Sequence, residues 1–232
     1  MTYLDTLLFG YYPYVALVVF LLGSLIRFDR EQYSWKTDSS QMLRAGQLRW
    51  GSNLFHIGVL FLFFGHFFGL LTPHVVYEHF VTPADKQMGA MVSGGLAGLA
   101  GFIGMTILLH RRLTDPRIRA VTRTSDLMMG ALLWLQLLIG LGTISVSAQH
   151  LDGSLMISFG EWAQRIVTFR ADAAPHLAAA GVLFKLHIFL GMTMFLLLPF
   201  TRLAHVWSGF ALVGYVTRSY QVVRSRRISA GR

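Results

Sequence analysis

The sequence predicts an all-α integral membrane protein with five transmembrane helices, and three observations support that fold class. Of the 232 residues, 54% are hydrophobic and only 13% are charged, and the mean hydropathy is +0.53. The apolar residues also occur in blocks of about 20 with almost no charge inside, the length a helix needs to cross a bilayer core of roughly 30 Å. A chain of this composition has too little polar surface to fold as a water-soluble domain.

The five spans are predicted at 7–26, 52–71, 88–109, 127–146 and 181–206. We expect residues 1–232 to form a single membrane domain with a tail at 207–232. The first block follows no basic segment and precedes no small-residue cleavage site, so we interpret it as a retained span and not as a signal peptide.

The distribution of lysine and arginine predicts the orientation, because cytoplasmic connections are enriched in them. Sixteen of the 20 lie in 27–50, 111–126 and the tail from 202 onwards. The other connections hold few, so the N-terminus is predicted outside and the C-terminus in the cytoplasm. Because the basic residues lie between and after apolar blocks, they indicate topology and not nucleic-acid binding. The long outer connection at 147–180 is expected to contain a short amphipathic helix.

The chain has no cysteine, which excludes disulfides, thiolate metal sites, Cys-ligated iron–sulfur clusters and covalently attached c-type haem within it. A redox centre must therefore use histidine, methionine or carboxylates. Five of the nine histidines lie in connections or at a helix end and need no special role. The other four lie inside predicted spans, where an ionisable group is costly and indicates function: His56, His66, His187 and His205.

The direction of the spans pairs these four histidines by depth. Span two runs outward and span five inward, so His66 lies level with His187 near the outside, and His56 with His205 near the cytoplasm. Two imidazoles on facing helices are the axial ligands of a six-coordinate b-type haem. We therefore predict two haem b groups, with scattered core histidines as the alternative.

The spacing of these histidines does not match perfectly between the two spans. His56 and His66 are ten residues apart, roughly 15 Å of helix, whereas His187 and His205 are eighteen apart, roughly 27 Å. We expect Pro199 to kink span five and absorb part of the difference. Gly65 and Gly69, which flank His66, either allow close helix packing or leave room for a flat macrocycle.

Several motifs also resemble one known family. They are SSQMLRAG at 39–46, SNLFHIG…GHFFG.LTPH at 52–74, RRL..PR.RA at 111–120, SAQH.DGS at 147–154, WAQ..VTF at 162–169 and LH..LGMT.FLL.PF.RL.H.WS at 186–208. In these positions the chain resembles the gamma subunit of membrane-bound respiratory nitrate reductase, and the resemblance covers nearly the whole sequence.

The resemblance implies a quinol-oxidising subunit of anaerobic respiration in the bacterial inner membrane. It implies that His66 and His187 hold a distal haem iron and that His56 and His205 hold a proximal one. Electrons from menaquinol or ubiquinol would pass to an iron–sulfur beta subunit and a molybdenum-containing alpha subunit in the cytoplasm. We find no site for nitrate in the chain itself.

Two further site residues follow from the resemblance and the residue chemistry. Lys86 falls on the family's quinol-site lysine, and its ammonium can hydrogen-bond a quinol oxygen; the alternative is an interface anchor that snorkels. Arg112, together with Arg111, lies at the inner end of span three and can pair with proximal haem propionates. Ordinary positive-inside residues are the alternative there.

Three other functions compete with this interpretation. A dihaem anchor of another reductase would use the same histidines with a different soluble partner. A transporter or channel would use intramembrane histidines to relay protons, but it predicts carboxylates near the bilayer centre, which spans two to four lack. A purely structural anchor leaves the four histidines unexplained. The basic tail is expected to contact the cytoplasmic partner or, alternatively, anionic lipid.

Overall fold

The computed structural model describes residues 2–30 and 43–207. Within these ranges it has five helices long and apolar enough to cross a membrane and no β-strand, which confirms the predicted fold class. The long helices are α1 (Tyr3–Arg30), α2 (Ala45–Leu71), α3 (Pro83–Thr114), α4 (Thr124–Ser147), α5 (Ser154–Val167) and α6 (Val182–Leu197). Short helical turns lie in the connections at His74–Tyr77, Pro116–Ala120 and Ala174–Leu177. All but α5 are long and apolar enough to cross a membrane, α6 together with the 3-10 turn that extends it to Phe200. The tail predicted at 207–232 to contact the partner lies outside the described residues, except for Trp207.

We call the end of the bundle that carries the α2–α3 and α4–α6 connections the outer end, and the opposite end the inner end. At the outer end α1 contains a π-helical turn, Leu7–Tyr11, just before Pro13. Because Pro13 has no N–H, it cannot donate to the Phe9 carbonyl one turn earlier. That carbonyl instead accepts a 2.9 Å hydrogen bond from the buried Trp162 indole, which fastens α5 to α1.

The predicted amphipathic helix in the outer connection is α5. It buries Trp162 and Ile166 in an apolar cluster with Phe9 of α1, Leu177 and Phe184. Gly153 begins the helix at φ +78°, and a Cβ there would lie 2.5 Å from the Pro83 Cβ, so the turn requires glycine. This cluster closes the outer end of the bundle.

Glycines also let α2 and α3 pack backbone against backbone. A Cβ on Gly58 would lie 2.5 Å from the Ala97 carbonyl, and one on Gly104 would overlap the Phe55 backbone. Gly65 and Gly69, in contrast, have nothing within 4 Å of an added Cβ. Close helix packing is therefore the role of Gly58 and Gly104, and the pair that flanks His66 borders open space.

The last span is not one helix to residue 206. The α-helix ends at Leu197, followed by a 3-10 turn at Leu198–Phe200, an extended Thr201 and a second 3-10 turn at Arg202–His205. Pro199 explains the change because it has no N–H to continue the helix. From α1, Arg27 donates to the Pro199 and Thr201 carbonyls at 2.6 and 2.8 Å and holds the irregular segment in place.

Candidate functional site

The four intramembrane histidines form the two pairs that the sequence predicted. The His66 and His187 rings, the outer pair, have centroids 6.2 Å apart, and the His56 and His205 rings, the inner pair, have centroids 6.1 Å apart. Beyond Leu197 the chain leaves the regular α-helix in two 3-10 turns separated by an extended Thr201. In this irregular segment His205 lies beside His56, although the two histidines of the last span are further apart in sequence than those of α2.

Backbone hydrogen bonds orient three of the four rings. The Nδ1 atoms of His56, His66 and His205 lie 2.7, 2.7 and 2.6 Å from the carbonyl oxygens of Ser52, Leu62 and Arg202, respectively. A carbonyl oxygen only accepts, so Nδ1 carries a proton in each ring, and in the neutral imidazole Nε2 then has the free lone pair. This is the tautomer an axial metal ligand needs.

His187 is held differently, against α4. An added Cβ on Gly140 would lie 2.9 Å from the ring's Cε1, so only glycine admits the ring there. Gln136, one turn earlier on α4, donates from Nε2 to the His187 carbonyl at 3.1 Å. The Nδ1 of His187 and the Oε1 of Gln136 are both buried without a hydrogen-bond partner.

A cluster of charged side chains lies near the inner pair. The Asp126 side chain, 3% exposed, is 2.6 Å from the Arg202 Nε and 3.8 Å from the Arg112 Nη1. Arg112 also donates to the Thr122 hydroxyl at 3.3 Å. Its neighbour Arg111 is buried and donates to the Leu43 carbonyl at 2.5 Å. Of these two arginines, Arg112 is thus linked to the segment that bears His205, whereas Arg111 binds the backbone just before α2.

Lys86 lies at the outer end, beside α2. Its Nζ donates to the Gly69 carbonyl at 2.9 Å and lies 3.5 Å from the centre of the Tyr77 ring. Gly69 follows His66 by less than one helical turn, so the ammonium is close to the outer pair. Lys86 and Tyr77 also line a small pocket with Gln164 of α5. Burial raises the pKa of the Tyr77 hydroxyl, so the ring beneath the ammonium stays neutral at ordinary pH.

Several residues that the sequence analysis did not predict contact these sites, among them Tyr77, Asp126 and Gln136. Asp126 stands at the start of a predicted span, where an acidic residue is usually only a helix cap, a function it also serves here. Gln136 is a polar residue inside an apolar block, and this position could have indicated that its side chain makes a buried polar contact. Nothing in the local sequence indicates which helix either side chain faces.

The donor set fits haem better than a bare ion. Among the described residues, no group of three or more His, Cys, Asp or Glu side chains is placed to hold a metal ion. A haem iron already has four porphyrin nitrogens and needs only two axial ligands, which a histidine pair supplies. The open space beside Gly65 and Gly69, next to His66, suits a flat macrocycle.

Comparisons with known proteins agree on one family. The family model described as "Nitrate reductase gamma subunit" matches residues 5–226. The chain is 52% identical to "Respiratory nitrate reductase 2 gamma chain" and 50% identical to "Respiratory nitrate reductase 1 gamma chain" of Escherichia coli, covering 97% of this chain and 99% and 100% of theirs. It is 36% identical to "Nitrate reductase gamma chain" of Bacillus subtilis, over 95% of this chain and 98% of that protein.

Proposed function

The chain belongs to the nitrate reductase gamma subunit family, and on that premise we propose that it is a dihaem b-type cytochrome subunit that oxidises quinol. The site of oxidation is near the outer face of the bacterial inner membrane. Electrons pass inward to an iron–sulfur beta subunit and a molybdenum-containing alpha subunit, where nitrate is reduced. In this proposal the chain supplies the electron path, and the other subunits carry out nitrate reduction.

The observation that carries this proposal is the ring separation within each histidine pair. An imidazole nitrogen binds a transition metal at about 2 Å and lies about 1.1 Å from its ring centre. Two axial imidazoles on one iron therefore have ring centres about 6 Å apart. The separations of 6.2 and 6.1 Å match that value at both depths, which supports bis-histidine ligation.

Each haem, when bound, would supply a one-electron centre held by one histidine pair. The protein's contribution is to present Nε2 atoms at fixed positions. His56, His66 and His205 do so through their Nδ1 hydrogen bonds to backbone carbonyls. His187 does so through its contact with Gly140.

Lys86 is the residue we assign to quinol. Its ammonium has three N–H donors, and one of them binds the Gly69 carbonyl, which leaves two for a quinol oxygen. A positive charge beside that oxygen stabilises its deprotonated form. Because the Lys86 pocket is at the outer end, the two protons leave on the outer side.

The distribution of basic residues gives this step its direction. Sixteen of the 20 lysines and arginines lie on one side of the predicted topology, which assigns that side to the cytoplasm. Electrons then move inward while protons remain outside, so quinol oxidation separates charge across the membrane.

Haem quantification on the purified complex tests this proposal, with wild type compared with His66→Ala and His110→Ala. His110 is an exposed histidine of α3 outside both pairs and is the matched control. We expect two b haems per chain in wild type and in His110→Ala, and one in His66→Ala. Sealed vesicles given quinol and nitrate should acidify the outer compartment. A complex without haem, or quinol oxidation without outer acidification, contradicts the proposal.

A further inference from the structure

We propose that α4, which carries none of the four histidines, positions both pairs, through Asp126 for the inner pair and through Gln136 for the outer pair. This inference rests on the proposed function, since it concerns residues that act through the haem ligands. Asp126 and Gln136 are ten residues apart, roughly 15 Å along α4. The same spacing separates His56 from His66 on α2. Asp126 therefore lies at the depth of the inner pair and Gln136 at the depth of the outer pair.

The inner pair needs a tether because His205 is the one histidine of the four outside an α-helix. Helical backbone bonds fix the Cα positions of His56, His66 and His187. His205 lies in a short 3-10 turn after an extended Thr201, and such turns have poorer hydrogen-bond geometry than an α-helix. Side chains of neighbouring helices must therefore hold this turn.

Asp126 supplies that tether. Its carboxylate is 2.6 Å from the Arg202 Nε and is almost fully buried, which strengthens a charge-assisted hydrogen bond. The carbonyl of the same Arg202 accepts the Nδ1–H of His205 at 2.6 Å. A continuous chain of contacts thus runs from α4 through Arg202 to the imidazole, and Arg112, 3.8 Å from the same carboxylate, completes the cluster.

The outer pair depends on Gln136 through a different contact. Gln136 binds the His187 carbonyl through Nε2, yet its Oε1 and the Nδ1 of His187 are both buried without a partner. A buried donor and a buried acceptor at one helix contact are each costly unless they are satisfied. We therefore assign the Gln136 Oε1 as the acceptor for the His187 Nδ1–H, either directly after a small side-chain rotation or through one water.

Both residues are positioning residues, since neither reaches the proposed haem iron. Partners of metal-ligating histidines fix the ring and its tautomer, and removing one typically costs about 10–100-fold in metal affinity. The loss is expected at one depth only, because Asp126 and Gln136 contact different histidines. A general weakening of the bundle would instead affect both haems.

The test uses Asp126→Asn and Gln136→Met in the whole complex, each serving as a control for the other. A third variant, Asp115→Asn, removes another inner-end carboxylate with 3% exposure, which pairs with Arg44 and Arg117 and with no histidine-bearing turn. The two readouts are the midpoint potential of each haem and the half-time of haem transfer to an excess of a soluble haem-binding apoprotein. Neither readout requires turnover.

We expect Asp126→Asn to shorten the half-time for the inner haem at least tenfold and to shift its potential alone. Gln136→Met should do the same for the outer haem alone, and Asp115→Asn should leave both unchanged. If Asp126→Asn does not assemble, Asp126→Glu serves instead. It keeps the negative charge, but its extra methylene group shifts the carboxylate and the Arg202 side chain that binds it, and it should change the midpoint potential of the inner haem only. Equal effects on both haems, or none, would overturn the inference. A wild-type complex without haem would instead overturn the proposed function.

Discussion

Replacement of Gly140 by alanine should weaken the outer haem selectively. The new Cβ would lie 2.9 Å from Cε1 and 3.4 Å from Nδ1 of the His187 ring. Non-bonded carbons rest about 3.5–4.0 Å apart, so the ring must move by roughly 0.6–1 Å. His187 lies within α6, which packs on α4, and its backbone has little freedom to follow.

The expected magnitude comes from the cost of overpacking. Inserting a methyl group into a packed contact typically costs about 1–3 kcal/mol, and each 1.4 kcal/mol is a factor of ten in an equilibrium constant. Outer haem affinity should therefore fall roughly 5- to 150-fold. Alanine is a better helix former than glycine by about 1 kcal/mol, so the substitution does not weaken α4 itself. A loss of outer haem affinity would therefore result from displacement of the His187 ring.

Gly142→Ala is the matched control. Its Cβ would meet the flexible Leu183 side chain of the same neighbouring helix at 3.3 Å and no histidine. The assay is the half-time of haem transfer from the purified complex to a soluble acceptor, with the two haems distinguished by midpoint potential. Equal half-times for Gly140→Ala, Gly142→Ala and wild type would refute the placement of His187 against Gly140.

Three further substitutions test the quinol site, the interruption at Pro199 and the contact between α5 and α1. Lys86→Met removes the ammonium assigned to quinol and, through the lost charge-assisted hydrogen bond, should lower the quinol oxidation rate about 10- to 100-fold. Both haem spectra should be unchanged; loss of a haem would contradict that assignment. Pro199→Ala restores a helix donor and should displace His205, so the purified complex should lose inner haem and keep outer haem. Trp162→Phe leaves the Phe9 carbonyl without its buried donor, which should lower the free energy of unfolding in detergent by about 1–3 kcal/mol. An unchanged midpoint of denaturant unfolding would count against that contact.

The sequence was sufficient to predict the number of spans and which histidines lie beside each other, because both depend on patterns along the chain; the role of these histidines as haem ligands stays a prediction. Apolar blocks of about 20 residues report hydrophobic length directly. Pairing by depth needs only the alternating direction of successive spans. Pro199 indicated that the last span was interrupted, but the number and type of turns beyond Leu197 depend on contacts with Arg27 of α1, which no local pattern encodes.

The contacts around the histidines could not be predicted for the same reason. Asp126 and Gln136 matter because α4 packs against α6 and the turns beyond it, and that packing is fixed by tertiary structure. Gly140 could not be distinguished from the other glycines by sequence, since its importance depends on the His187 ring beside it. The pair Gly65 and Gly69 had two interpretations, and the absence of any neighbour within 4 Å disfavours close helix packing there.

The most direct test of the two histidine pairs is a redox titration of haem absorbance on purified complexes that carry His56→Ala, His66→Ala, His187→Ala or His205→Ala. We expect two b haems in wild type. His66→Ala and His187→Ala should lose the same haem, and His56→Ala and His205→Ala should lose the other. If His66→Ala and His205→Ala instead lost the same haem, or wild type contained fewer than two, the assignment of the two histidine pairs would be contradicted.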